Sequence, residues 1–173
     1  MQSTVRNINK KAIIYFLLFF AGATALVGQR LNFTNFGSEE GLQLQIMSIC
    51  EDQRGYLWLG TYGGGVSVFD GRDFQTYTAY NGLRSNVVID NVTDVDGNIW
   101  FTHDANGATM YDGREFHSFS ETEGLFYSKK AFLLPKPKGG VIIYTESDGF
   151  YDFDGEEFKR YDRGDGLPSD TLN

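Results

Sequence analysis

The sequence predicts an all-β protein, a β-propeller whose blades are about 42 residues long with four antiparallel strands each. Three observations lead there. Gly-Leu pairs begin at Gly41, Gly82, Gly124 and Gly166, at spacings of 41, 42 and 42 residues. Aromatic residues make up 16% of the chain, with 15 Phe and 10 Tyr, beside 21 Gly and only 3 Pro, which favours short strands joined by tight turns. Asp-Gly pairs at Asp70, Asp112 and Asp154 fall in register within the units.

The first 28 residues read as a secretory signal peptide. Arg6, Lys10 and Lys11 precede the apolar run Ala12 to Gly28, which ends in small residues. The run is short for a membrane span of about 20 residues. The 173-residue chain carries a net charge of −8, and this segment holds three basic residues and no acid, so the mature chain is more acidic still. Such acidity argues against nucleic acid as a partner. A lone cysteine, Cys50, excludes an intramolecular disulfide framework.

An outer strand is expected over residues 31–40, carrying Phe33 and Phe36. Blades follow at 41–81, 82–123 and 124–165, and another begins at 166–173. In the second unit the strands are expected near Val87–Val92, Asn98–His103, Ala108–Tyr111 and Glu115–Ser120. Asp112-Gly113 predicts a tight hairpin in which both residues take positive φ. Each unit closes on a Phe-x-x-aromatic pair: Phe74/Tyr77, Phe116/Phe119 and Phe158/Tyr161. The odd spacing puts the two rings on opposite strand faces, as expected for an outer strand packed between neighbouring blades.

The stretch Asp94 to Trp100 resembles the start of a calcium loop. Its counterparts are Asp52-Gln53-Arg54-Gly55 and Lys136-Pro137-Lys138-Gly139, and only the glycine occurs in all three. A glycine turn is therefore expected rather than a metal site. Gly63-Gly64-Gly65 lacks the lysine and hydroxyl of a phosphate loop and reads as a turn. His103 and His117 are the only histidines; a hydrogen bond from His103 to Asp104 and an outer-strand place for His117 are expected, with no metal or catalytic role. Cys50 matches Val92 and Leu134 and reads as core. Trp58 and Trp100 could stack on a sugar but read first as blade packing. Tyr62, Asp104, Asn106 and Glu146, after the second strands, are the loop positions to examine for ligand contacts. No catalytic, cofactor-binding or metal site is assigned, and no cofactor is expected.

The units resemble the two-component regulator propeller repeats of bacterial sensor proteins. The residues concerned are Gly41-Leu42, Gly82-Leu83, Gly166-Leu167-Pro168-Ser169, Asp52-x-x-Gly55-x-Leu57-Trp58-Leu59-Gly60-Thr61 and Gly63-Gly64-Gly65-Val66. The second unit departs at Phe101-Thr102-His103, and the third replaces the tryptophan with Ile142 and carries two prolines. The resemblance implies an exported, periplasmic sensor segment. In full-length relatives more blades, a β-sandwich, a membrane helix and a histidine kinase or transcription-factor module follow, and many members respond to carbohydrate fragments. A carbohydrate or other small extracellular ligand is the implied partner, and the residues present are not expected to be an enzyme. A propeller needs about 4–8 blades. The sequence therefore reads as a fragment of a longer protein, completed by missing C-terminal blades or, alternatively, by a second chain in a dimeric ring. Two other readings stay open: part of a secreted carbohydrate-active enzyme, and a surface adhesion or scaffold protein.

Overall fold

A computed structural model of the chain describes residues 33–42, 45–104, 107–127 and 130–170. The chain divides into two units after Asn35; of the first, only 33–35 are described, and they lie in no strand. The proposed signal peptide lies outside the described residues. Among those residues, no helix is long and apolar enough to cross a membrane.

The second unit holds three four-stranded antiparallel sheets in simple sequential order. Blade 1 comprises β1 (Ile46–Glu51), β2 (Leu57–Thr61), β3 (Val66–Phe69) and β4 (Phe74–Tyr77). Blade 2 comprises β5 (Val88–Thr93), β6 (Ile99–His103), β7 (Ala108–Tyr111) and β8 (Phe116–Phe119). Blade 3 comprises β9 (Ala131–Pro135), β10 (Val141–Thr145), β11 (Phe150–Phe153) and β12 (Phe158–Tyr161). The first strands approach one another, β1 against β5 and β5 against β9, so each sheet runs outward from a shared inner edge.

The core lies between blades, because a single four-stranded sheet cannot cover its own apolar face. Trp58, Val66 and Val68 of blade 1 pack with Val88, Ile99 and Phe101 of blade 2. Trp100 and Phe119 of blade 2 pack with Val141, Phe153 and Phe158 of blade 3. The outer-strand aromatics behave as their spacing demands. Tyr77 stacks on Trp58 at 5.8 Å and meets Phe116 of the next blade edge-on at 5.0 Å. Phe119 stacks on Trp100 at 5.3 Å and meets Phe158 at 5.5 Å. Phe36, one period before Tyr77, likewise packs on Phe69 and Phe74 at 4.9 and 5.6 Å.

Hydrogen bonds cross the same interfaces. Asn91 Nδ2 donates to Trp58 O at 2.8 Å and Thr93 Oγ1 to Glu51 O at 2.6 Å. Thr102 Oγ1 donates to Ala131 O at 2.6 Å, and Leu133 N donates to Asp90 Oδ2 at 2.9 Å. The second-strand turns are closed by glycines with positive φ at Gly65, Gly107 and Gly149. A Cβ at any of them would collide with the carbonyl oxygen of Tyr77, Phe119 or Tyr161 on the outer strand. Each turn is also held by the segment leading into the next blade. Gly63 N and Gly65 N donate to Asn86 O, the Tyr127 hydroxyl donates to His103 O and Gly107 O, and Gly149 N donates to Asp170 O.

The entry segments repeat as faithfully as the strands. At each, a backbone amide is capped by an acceptor three residues on: Gly37 by Glu40, Thr78 by Asn81, Ser120 by Glu123 and Asp162 by Asp165. The following leucine amide, of Leu42, Leu83, Leu125 and Leu167 in turn, bonds back to the carbonyl of the capped residue.

Two expectations need correction. No strand is found among the described residues of 31–40: residues 33–37 are irregular and Ser38–Glu40 form a 3-10 turn, because no described strand pairs with them. The Asp-Gly hairpins are four-residue loops, and only the glycine has positive φ. The aspartate instead accepts two backbone amides through Oδ1: Asp70 from Arg72 and Asp73, Asp112 from Arg114 and Glu115, and Asp154 from Glu156 and Glu157. A carboxylate that mimics a backbone acceptor favours this wider turn.

Candidate functional site

The turn from Asp94 to Asn98 joins β5 to β6. It is a turn built around an aspartate side chain. Asp94 Oδ1 accepts from Asp96 N and Asn98 N at 3.0 and 2.9 Å. Its Oδ2 accepts from Asn98 Nδ2 at 3.0 Å and from the buried Trp100 indole at 2.9 Å. Asp52 repeats the arrangement in blade 1, accepting from Arg54 N, Tyr56 N and Trp58 Nε1. Burial would raise the Asp52 carboxyl, but these donors and the Arg54 guanidinium outweigh it and hold it below its ordinary value. Blade 3 loses both partners at once. Lys136 stands at the aspartate position and turns to Asp152 Oδ1 at 2.6 Å and to Phe153 O, while Ile142 replaces the indole.

The two blade interfaces differ beside this turn. In blade 1, Arg54 donates to Asp52 Oδ2 at 2.7 Å, its guanidinium lies 4.5 Å from the Tyr56 ring centre, and Tyr56 packs on the interface core. Forty-two residues on, Asp96 and Asn98 stand at those positions, and on the facing blade Gly140 and Ile142 stand where blade 2 has Asn98 and Trp100. The result is a groove of about 1230 Å³ between blades 2 and 3. Its lining is aromatic and aliphatic, with Met110, Phe119 and Phe153, and also includes the buried Asp94 and the more exposed Asp96, Asn98 and Lys138.

The sequence-selected residues fall elsewhere or into structural roles. Trp58 and Trp100 are at 1% and 0% exposure and present no face to solvent. His103 is fully buried; its ring nitrogens meet Val87 O and Thr109 Oγ1 at 3.1 and 2.8 Å, not Asp104. Burial lowers its pKa to about 4, so the ring is neutral. Cys50 is half-buried and burial raises its thiol to about 11. Its counterpart Leu134 is 54% exposed, so this position is core only in part. Gly63 and Gly65 form the expected turn. Tyr62 is exposed and bridges Val87, Asp104 and Glu146 are exposed, and Asn106 lies outside the described residues. His117 is not isolated from carboxylates: its Nε2 lies 3.0 Å from Asp112 Oδ2 and 3.9 Å from Glu115 Oε1. The sequence reading missed the groove. The substitutions that open it were legible, but which interface each side chain enters was not.

Fold and repeat define a β-propeller protein. Residues 41–63, from the Gly-Leu pair through β2, match the model of the two component regulator propeller family, so the chain carries a repeat of that family in blade 1. Among solved structures, the chain is similar to the extracellular domain assigned to hybrid two component system BT3049 from B. thetaiotaomicron. The TM-score is 0.66 at 22% identity, over 80% of this chain and 21% of that one. It is also similar to the extracellular domain assigned to one component system BT4673 from the same organism, with TM-score 0.57 and 24% identity over 68% of this chain and 18% of that one. The chain thus spans about a fifth of the length of either structure. No curated protein matches the chain.

Proposed function

We propose that this chain is a sensory segment of an extracytoplasmic propeller in a two-component regulator, receiving a small extracellular ligand such as a carbohydrate. The observation that carries the reading is the two component regulator propeller match at residues 41–63, seated in a complete four-stranded blade whose pattern two further blades repeat. Two similar folds come from extracellular domains of two component and one component systems, which supports an exported location and an output module elsewhere in the full-length protein. In this reading the propeller is closed by further blades of the same protein or by a second chain. The entry segment at Asp162–Leu167 supports it, since it repeats the bonds that precede each earlier blade.

The test is an in-frame deletion of codons 41–170 in the source bacterium, with transcripts compared across a panel of polysaccharide fragments. The expected result is loss of one induced transcriptional response. Responses identical to those of the parent strain would overturn the reading.

A further inference from the structure

We propose that the groove between blades 2 and 3 binds a small aromatic cation, a planar ring carrying a short amine arm. The inference stands on the groove alone and is independent of the signalling reading. The chain supplies its own template. At the interface of blades 1 and 2 the equivalent space is occupied in cis by the Tyr56 ring and the Arg54 guanidinium, stacked at 4.5 Å, with the cation bonded to Asp52. Between blades 2 and 3 the anchoring acid is kept as Asp94, but both occupants are replaced, by Asp96 and Asn98.

The replacements remove a ring and exchange a cation for an acid. Space and charge therefore change together, toward a ligand with the chemistry of the missing pair. The apolar lining of Met110, Phe119 and Phe153 suits a ring face. Asp96 places an exposed carboxylate at the edge where the arm would lie, while Asp94 is already bonded to Asp96 N, the Asn98 amides and the Trp100 indole. Of the basic groups lining the groove, Lys136 is held by Asp152 and Phe153 O, and His117 is bonded to Asp112; Lys138 lies on the exposed rim.

Calorimetric titration of the full chain with tyramine tests this, with 4-ethylphenol supplying the ring alone and ethylamine the charge alone. Saturable binding of one tyramine is expected, with each half at least tenfold weaker. Asp96→Asn should weaken tyramine at least tenfold without changing the unfolding midpoint. The double variant D96R/N98Y rebuilds the blade 1 pair; it should abolish binding and raise the midpoint. No saturable heat with the parent chain, or equal affinity in D96N, would overturn the proposal. If the double variant does not fold, D96N decides alone.

Discussion

Asp94 accepts two backbone amides, the Asn98 amide and the Trp100 indole while only 4% exposed. Alanine there leaves buried donors without a partner, at a cost of about 3 kcal/mol. Lys136→Ala, at the matching position of blade 3, removes one partly exposed ion pair and the bond to Phe153 O and should cost about 1 kcal/mol. Urea unfolding of the two variants checks the contrast. His103 sets a second expectation. Its ring titrates near 6.5 when unfolded and near 4 when folded, so the unfolded state binds the extra proton between those values. Its contribution is complete above pH 6.5 and is lost as pH falls toward 4. Asp90, raised by burial, acts in the opposite sense by holding its proton in the folded state. Stability measured across that window should fall with acidification in the parent chain and fall less steeply in His103→Gln.

At the scale of the element, the repeat made most of the strands legible. The second-unit strands were placed within a residue of Val88–Thr93, Ile99–His103, Ala108–Tyr111 and Phe116–Phe119. Alternation and Gly spacing are local signals, and local signals survive in sequence. The aspartate turns were not legible in the same way. Asp52 and Trp58 meet across six residues of hairpin, and their joint loss in blade 3 was visible only as two separate substitutions. The Asp-Gly loops were assigned the wrong turn because the aspartate side chain, not its φ, does the work. Glycines separate in the same manner. Gly113 has positive φ but open space around it, so alanine there should cost about 1 kcal/mol. Gly107 has positive φ and the Phe119 carbonyl against it, so alanine should cost about 3 kcal/mol or more. Thermal unfolding of the pair distinguishes backbone strain from collision.

For the blade array as a whole, both apolar clusters are shared between neighbours and none belongs to one blade. Stability therefore resides in interfaces, as in other repeat folds. A chain ended after Glu123 keeps every strand of blade 2 but strips Phe153 and Phe158 from Trp100. Its tryptophan emission should move to longer wavelength and its denaturant dependence should weaken. Unchanged emission would mean that blade 2 supports Trp100 unaided.

The bonds from each entry segment back to the preceding turn give the array a polarity. Asn86 holds the turn of blade 1, Tyr127 that of blade 2, and Asp170 that of blade 3. Each turn is latched by the segment that leads into its successor. Loss of a blade should therefore free the turn of the blade before it, as a zip loosens behind a lost tooth.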